Sequence, residues 1–443
     1  MNEIVTKFPR VLIFGETFHK NSGGGITLNS LFGNWPVDNI FILTDNISRA
    51  QETQFEHFYL LGRDEIKSPY SALGIGNTPE SSMIELSKCT KIIRLSEEIE
   101  KGPSQKGKRF NKIKRIIKLT SEILGVYNFM ISIKPSLKLI NWIKATNPDI
   151  IYFQPHYISD VKFIIDLHLI TGIPYCIHVM DDYYTFFSRN PDFRKNNKML
   201  FNKLVELSSV NIAICEEMSK EYSIRYGKKF HHFQHSVDIS FWDRNYKIKS
   251  EPKPFIIQYS GRLSVGPSNS FLLLSEAIEL LNRKGFMIEF RIQTMTNNSK
   301  MLNLLSKFKN NLIQKPIPYD ELPLRYSEAD LLVLPIDFDK QSIEYIRLSM
   351  PTKAPEYMAS GVPIMVFAPG ETALYKYAKS QAWAFCTSEH TIDSLCSVLI
   401  EIINYPEKRK QVANTAREVV IKNHNKSDIQ RDFMKLLNSV KNE

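Results

Sequence analysis

Short apolar segments alternate along this chain with longer segments of helical character, and this alternation constrains the fold most strongly. In the first half the apolar segments are residues 11–15, 40–44, 149–153, 174–179 and 210–215. Continuous apolar strands separated by helices predict a parallel sheet that is covered on both faces. The pattern therefore predicts an α/β fold.

A polar stretch rich in lysine and proline, residues 243–254, is followed by a second pattern of the same kind. Its apolar segments are residues 255–259, 287–293, 331–334, 364–367 and 382–387. Helical character is predicted at residues 216–226 and 271–284, and again at 393–405 and 406–424. Two doubly wound domains joined by a linker are the expected arrangement.

The predicted boundaries follow from this repeat and from a length of 443 residues, which suits two or three domains. We predict an N-terminal domain over 1–242, a linker over 243–254, a C-terminal domain over 255–415 and a C-terminal helix over 416–443. Ligands of such sheets bind beyond the carboxyl ends of the strands. A cleft between two facing domains is the expected active site.

Composition limits the classes of protein to which the chain can belong. Apolar residues make up 43% and charged residues 23%, as in globular proteins, and no run of eighteen uncharged apolar residues is present. The first ten residues lack the apolar core of a secretory signal, and the five cysteines are scattered without a Cys-x-x-Cys pair. We expect reduced thiols, a cytoplasmic location, no metal site and no cofactor.

The net charge of +10 predicts an anionic partner, and one segment concentrates it. Residues 101–118 contain lysines and arginines uninterrupted by any acid, with Phe110, Ile113 and Ile117 at helical spacing. This pattern is typical of a basic amphipathic helix on an anionic membrane, and equally of a solvated insertion with one apolar edge. Nucleic acid is disfavoured because no binding motif surrounds the segment.

Residues 349–363 carry the most specific signal in the chain. Lys353 and Glu356 are three residues apart and so lie on one face of a predicted helix, which ends at Gly361-Val362-Pro363. A cation beside the free N–H groups of a helix start suits phosphate, and a carboxylate suits hydroxyl groups. We predict that Lys353 binds the phosphates of a nucleotide diphosphate and that Glu356 accepts hydrogen bonds from its ribose; the alternative is an ordinary capped helix.

The same segment resembles the donor-binding segment of GT-B glycosyltransferases, especially of family 4. The matching residues are Ser349, Pro351, Lys353, Glu356, Ala359, Gly361 and Pro363. The resemblance implies two Rossmann-like domains facing a central cleft and a C-terminal helix that crosses back to the first domain. It also implies a transferase with its donor on the C-terminal domain and its acceptor on the N-terminal domain. We expect this transferase to be metal-independent, because arginine and lysine can neutralise the phosphate charge.

Ser260-Gly261-Arg262-Leu263 resembles a second family segment, which implies that Arg262 joins Lys353 at the diphosphate. The sequence also departs from the family. The lysine expected shortly after Arg262 is missing, leaving backbone N–H groups near Ser268 to help bind phosphate. Leu348 stands where a first glutamate is expected, eight positions before Glu356, so this glutamate is either absent or replaced by Glu344 in another register. The stereochemical outcome is therefore open, and a nucleotide-sugar epimerase or an inactive partner subunit is the alternative function.

Further candidate residues follow other predicted strands. Gly24 and Gly25 lie in a glycine turn that the resemblance places near the donor, although a flexible turn is an equal interpretation. Asp181 and His178 are predicted catalytic residues that accept a proton from the acceptor hydroxyl, although His178 also suits a buried strand position. Glu371 is predicted either to bind the donor or to cap a helix.

Two weaker sequence signals complete the set. His156 also follows a predicted strand and is a less favoured candidate for the same role. The pair Asp337 and Asp339 has the spacing of an Asp-x-Asp metal motif but is interpreted as a loop. The predicted function is transfer of a sugar from a nucleotide diphosphate sugar to a hydroxyl acceptor. The acceptor is expected to be a lipid-linked or surface polysaccharide precursor at the inner face of the membrane.

Overall fold

The computed structural model describes residues 7–19, 22–46, 53–67, 78–85, 132–182, 191–242, 254–263, 268–296 and 298–440. These residues form two compact units. Unit 1 comprises Met1–Phe233 and Gln430–Glu443, and unit 2 comprises Gln234–Ile429. The basic segment 101–118 and the predicted linker up to residue 253 lie outside the described residues.

Unit 1 contains an eight-stranded sheet and a small two-stranded one. The strands are β1 Val11–Phe14, β2 Ile40–Thr44, β3 His57–Leu60, β4 Ile66–Lys67, β5 Ser82–Glu85, β6 Ser132–Ile133, β7 Ile150–Phe153, β8 Tyr175–Val179, β9 Val210–Ala213 and β10 Phe230–His232. The helices are α1 Gly23–Phe32, α2 Leu137–Thr146, α3 Ile158–Thr171, α4 Pro191–Leu207 and α5 Glu216–Tyr226.

The larger sheet of unit 1 has the order β10-β9-β8-β7-β1-β2-β3-β5 and is parallel except for β5 at its edge. All residues of β1 and β7 at its centre are buried, which explains why their sequences are apolar without alternation. The chain crosses between parallel strands through helices such as α3, which ends at Gly172 in the left-handed conformation. The carboxyl ends of β1, β7 and β8 therefore meet at one edge of the sheet.

Unit 2 contains one sheet of six parallel strands. The strands are β11 Phe255–Ser260, β12 Ile288–Gln293, β13 Asn311–Gln314, β14 Leu331–Pro335, β15 Ile364–Phe367 and β16 Phe385–Thr387. The helices are α6 Ile239–Trp242, α7 Ser268–Arg283, α8 Ser299–Leu305, α9 Leu322–Ser327, α10 Lys340–Ile346, α11 Lys353–Ser360, α12 Ala373–Gln381, α13 Ile392–Asn404 and α14 Pro406–His424. The last helix, α15 Lys426–Ser439, begins in unit 2, and its residues from Gln430 onward group with unit 1.

The strand order of unit 2 is β13-β12-β11-β14-β15-β16, so the sheet is wound in both directions from β11 and β14. Helix α7 and helix α13 pack together on one face, where Phe271, Leu274 and Leu395 are fully buried in a single core cluster. Helix α11 packs against α14, and the Arg417 side chain donates a hydrogen bond to the carbonyl oxygen of Ala359 over 3.2 Å.

The ten apolar segments of the sequence are confirmed as strands, and the fold class is α/β with parallel sheets. The C-terminal helix predicted over 416–443 is two helices, because α14 ends at His424 and α15 begins at Lys426. Cys176 and Cys215 are buried free thiols, as predicted. Among the described helices, none combines the length and the apolar character needed to cross a bilayer.

Candidate active site

The loop that follows β11 is held rigidly by two tyrosines. The backbone N–H of Ser260 donates a hydrogen bond to the Tyr357 hydroxyl over 2.9 Å, which ties the end of β11 to helix α11. The Tyr259 hydroxyl donates to the carbonyl oxygen of Arg262 over 2.9 Å. Gly261 and Arg262 are therefore fixed relative to the helix that carries Lys353 and Glu356.

Lys353, the first residue of α11, lies directly against Gly261. A methyl group added at Gly261 would be 2.8 Å from the Lys353 Nζ and 2.6 Å from the Tyr259 hydroxyl. Desolvation lowers the pKa of Lys353, the nearby Arg262 guanidinium adds to this, and the Glu356 carboxylate opposes it. The structure thus brings Lys353, Arg262 and Glu356 together at one loop, and a bound anion would compensate for the two neighbouring cations.

The Glu356 side chain is buried one turn further along α11, with 5% of the residue exposed. Its carboxylate is close to the Tyr319 hydroxyl, and its Oε1 is 3.7 Å from the Nε2 of His235. Both ring nitrogens of His235 are buried without a hydrogen-bond partner among the described residues. An ionised carboxylate has about four lone-pair positions, so it can accept hydrogen bonds from ligand hydroxyls as well.

The remaining predicted donor residues differ in their surroundings. Arg262 is exposed and Ser349 is partly buried, in the turn before α11. Glu371 is exposed, and it does not cap α12, because the Thr372 side chain accepts the hydrogen bond from the Tyr375 N–H. The capping role predicted for Glu371 is wrong, since its neighbour occupies the N-cap position.

The backbone N–H groups at the start of helix α7 already donate hydrogen bonds to a carboxylate. Asp337 accepts hydrogen bonds from the backbone N–H groups of Asn269, over 3.1 Å, and Ser270, over 2.7 Å. The N–H groups of Asn269 and Ser270 are therefore not free to bind phosphate, which corrects the expectation for these two positions; residues 264–267 lie outside the described residues. Asp339 likewise accepts from the Ser342 N–H, so the Asp-x-Asp pair caps two helices. No cluster of three metal-ligating side chains occurs in the described ranges.

In unit 1, the polar residues at the end of β8 differ in burial and in hydrogen-bond partners. His178 is fully buried, its Nδ1 is 2.7 Å from the Tyr152 hydroxyl, and burial lowers its pKa to about 3. A neutral, enclosed imidazole cannot reach a substrate, so the structure does not favour the predicted catalytic role of His178. Asp182 is paired with Arg225 through two hydrogen bonds of 2.8 and 3.1 Å, whereas Asp181 is partly exposed.

The glycine turn after β1 owes its composition to close packing. A methyl group at Gly24 would lie 2.7 Å from both the Glu16 Oε2 and the Gln154 Oε1. One at Gly25 would be 2.9 Å from the Thr17 carbonyl oxygen and would overlap that of His19. The two glycines therefore allow α1 to begin against the loop that contains Glu16 and His19, and their predicted donor contact stays a prediction.

Sequence reasoning missed Glu16 and His19 in unit 1 and His235 in unit 2. Glu16 and His19 are both buried and are joined by a 3.0 Å contact. The available signal was the spacing of Glu16, His19 and Ser22, which recur at every third position after the first strand. His235 has no role in the sequence prediction, although it lies beside the predicted ribose ligand Glu356.

No protein-family model matches this sequence, and no curated protein sequence matches it. The two α/β units, each built on a mainly parallel sheet, have the GT-B fold, which is shared by glycosyltransferases of known structure.

Three similar structures illustrate this. Sucrose-phosphate synthase from Thermosynechococcus elongatus has a TM-score of 0.61 at 13% identity, over 98% of this chain and 99% of that one. A glycosyltransferase from Rickettsia africae has a TM-score of 0.60 at 12% identity, over 97% of each chain. HepE from Anabaena, in complex with UDP and glucose, has a TM-score of 0.56 at 12% identity, over 97% of this chain and 100% of that one.

Proposed function

We propose that this protein is a glycosyltransferase similar to family 4, which moves a sugar from a nucleotide diphosphate sugar to a hydroxyl acceptor. The observation that carries the proposal is the meeting of Lys353, Arg262 and Glu356 at the loop after β11. The sequence alone predicts these three residues as a donor site, and the packing of Lys353 on Gly261 gives them a common location. The GT-B fold is compatible with this function but does not by itself establish it.

In the proposed reaction, two cationic side chains lower the barrier most, because they stabilise the charge of the leaving group. When the bond between the anomeric carbon and the phosphate oxygen breaks, negative charge develops on the departing diphosphate. Lys353 and Arg262 would neutralise that charge at fixed positions, so in our proposal transfer does not depend on a divalent metal ion. Glu356 would accept hydrogen bonds from the ribose hydroxyls and so fix the nucleotide.

On the acceptor side, we propose that the substrate binds unit 1 at the carboxyl ends of its strands, where Asp181 is partly exposed. We propose a lipid-linked or polysaccharide precursor at an anionic membrane surface as the acceptor. The support for this is the basic segment 101–118 of the sequence, which lies outside the described residues.

A transfer assay with a panel of nucleotide sugars tests the proposal. UDP-sugars come first because HepE binds UDP and glucose. The expected products are a free nucleoside diphosphate and a glycosylated acceptor, with activity retained in the presence of EDTA. Conversion of the nucleotide sugar without an acceptor would instead indicate an epimerase. Binding without any conversion would indicate an inactive partner subunit.

A matched pair of lysine variants makes the assay specific to the site. Lys353→Met is expected to lower turnover about 10²–10³-fold, the loss typical for one preorganised group that stabilises developing charge. Lys340→Met removes a lysine whose side chain is 89% exposed in the same unit, and it is expected to leave turnover unchanged. Equal activity of the two variants would refute the assignment of Lys353.

A further inference from the structure

A buried histidine of unit 2 lies beside a residue of the proposed donor site. His235 is 6% exposed, and its Nε2 is 3.7 Å from Glu356 Oε1, which is too long for a hydrogen bond. Both ring nitrogens are enclosed and have no hydrogen-bond partner among the described residues. An enclosed polar group without a partner costs about 1–3 kcal/mol, so the fold keeps this ring in place at a cost in stability.

The backbone of His235, and not its ring, is what the fold holds. The His235 carbonyl oxygen accepts a hydrogen bond from His424 Nδ1 over 3.3 Å. Two residues further on, the Val237 N–H donates to the His424 carbonyl oxygen over 2.9 Å, and the Val237 carbonyl oxygen accepts from the Lys426 N–H over 3.1 Å. Another side chain at position 235 would be held by the same bonds, which leaves the imidazole for an interaction with Glu356.

The charges around Glu356 make a proton on this ring sensitive to a bound anion. Desolvation lowers the pKa of Lys353, the Glu356 carboxylate opposes this, and the Arg262 guanidinium adds to it. A proton on His235 would add another cation to a group that already contains two. A bound diphosphate supplies negative charge, so the ring holds a proton more tightly when the anion is bound than when it is absent.

Other titratable and charged groups surround this pair. The Tyr319 hydroxyl, from the loop after β13, is close to the Glu356 carboxylate. The remaining groups are Tyr326 of α9, Tyr357 of α11, Asp238 of the same segment, His424 of α14 and Lys426 of α15. Burial raises the pKa of each of the three tyrosines, so they stay protonated. In this set, the two histidines are of the residue type that changes charge between about pH 5 and 8.

We propose that His235 is the positioning residue of Glu356: it takes up a proton when the nucleotide diphosphate binds, and as an imidazolium it orients the carboxylate towards the ribose hydroxyls. This inference rests on the proposed function. The proton comes from the solvent, and the 3.7 Å gap closes to a charge-assisted hydrogen bond. By linkage, a proton that enters with the ligand also favours the ligand, so affinity is highest when His235 is protonated and falls as the pH rises through its titration.

Calorimetric titration in two buffers of different ionisation enthalpy measures this proton uptake. UDP-glucose, GDP-mannose and ADP-glucose are the probes, because their esterified diphosphates do not change charge near neutral pH. The wild type is expected to take up a fraction of a proton on binding and to lose affinity at least about fivefold between pH 6 and 8. His235→Gln is expected to take up no proton and to lose most of this pH dependence, because glutamine does not titrate.

Three controls separate this role from a structural one. His390→Gln removes an exposed histidine of the same unit, whose ring stacks on Phe338, and it should keep the wild-type uptake. Without nucleotide, His235→Gln should melt close to the wild-type temperature, because the ring nitrogens make no hydrogen bond among the described residues. In a double-mutant cycle, Glu356→Gln should weaken binding less in the His235→Gln background than in the wild type, since the two residues act together.

Several results would overturn the inference. Wild-type uptake in His235→Gln would assign the proton to Lys353, or to His424 if His424→Gln abolished it. Strictly additive losses in the double-mutant cycle would show that His235 does not act through Glu356. A wild type that took up no proton and bound equally well at pH 6 and 8 would be decisive even if His235→Gln did not fold. Failure of the wild type to bind any of the three probes would instead refute the proposed function.

Discussion

Replacing Gly261 by alanine is the mildest change that should disturb the proposed donor site. The added methyl group would overlap the Lys353 Cε and would be 2.8 Å from the Lys353 Nζ, so the end of this side chain must move by at least 0.6 Å before Nζ reaches an ordinary contact distance of about 3.4 Å. It would also be 2.6 Å from the Tyr259 hydroxyl, whose hydrogen bond to the Arg262 carbonyl oxygen must lengthen or break. One methyl group therefore displaces both the Lys353 side chain and the Tyr259 hydroxyl that holds the backbone of Arg262.

The expected cost falls on catalysis rather than on folding. A charge misplaced by a fraction of an ångström lowers turnover by roughly 10- to 100-fold. The loss of one neutral hydrogen bond destabilises the fold by about 1 kcal/mol. Lys353 is partly exposed as a residue, so we expect its side chain to move without disturbing the core.

Initial rates of sugar transfer and urea unfolding, measured on the same samples, check this prediction. Gly370→Ala is the matched control, because a methyl group there meets its nearest neighbour, the Ser388 Cβ, at 3.7 Å. The control is expected to show wild-type turnover and stability. If Gly261→Ala transferred sugar at the wild-type rate, the reasoning that places the Lys353 ammonium over Gly261 during catalysis would be refuted.

Three further outcomes are expected. Burial raises the pKa of Asp160 from 3.8 to about 7. The folded state therefore holds this proton more tightly than the unfolded state does. The free energy of unfolding should fall by about 3 kcal/mol between pH 5 and 8, as the folded state loses the proton. Asp160→Asn should remove that part of the pH dependence in urea titrations; an identical slope in both proteins would contradict it. Arg225→Ala leaves the buried Asp182 carboxylate without its main partner and should destabilise the fold by about 2 kcal/mol, whereas wild-type stability would argue against the pairing. Asp181→Asn should lower turnover with little change in melting temperature, the reverse of Arg225→Ala.

The sequence predicted the strands that lie within the sheets better than those at the edges. Central strands such as β1 and β7 are apolar throughout because both faces are covered. The strands β10 and β13 escaped prediction because they lie at sheet edges and contain polar residues such as His231, His232 and Asn311. Partial exposure removes the apolar run on which sequence interpretation depends.

The candidate site was predictable only where its residues are close in sequence. Lys353 and Glu356 share a helix turn, so their spacing is visible along the chain. The pairing of Asp182 with Arg225 joins residues 43 positions apart, and the contact of Gly261 with Lys353 also depends on the sheet order. The pair formed by Glu16 and His19 is local, but irregular loops have no fixed periodicity that would predict which side chains meet.

Calorimetric titration of nucleotides tests the central claim most directly, because it needs neither the sugar nor the acceptor. A nucleoside diphosphate and its parent nucleoside are each titrated into the wild type, Lys353→Met and Glu356→Gln. We expect Lys353→Met to weaken binding of the diphosphate at least about tenfold while leaving nucleoside binding unchanged, and Glu356→Gln to weaken both. Wild-type affinity for the diphosphate in Lys353→Met and in Glu356→Gln would contradict the donor site proposed for unit 2.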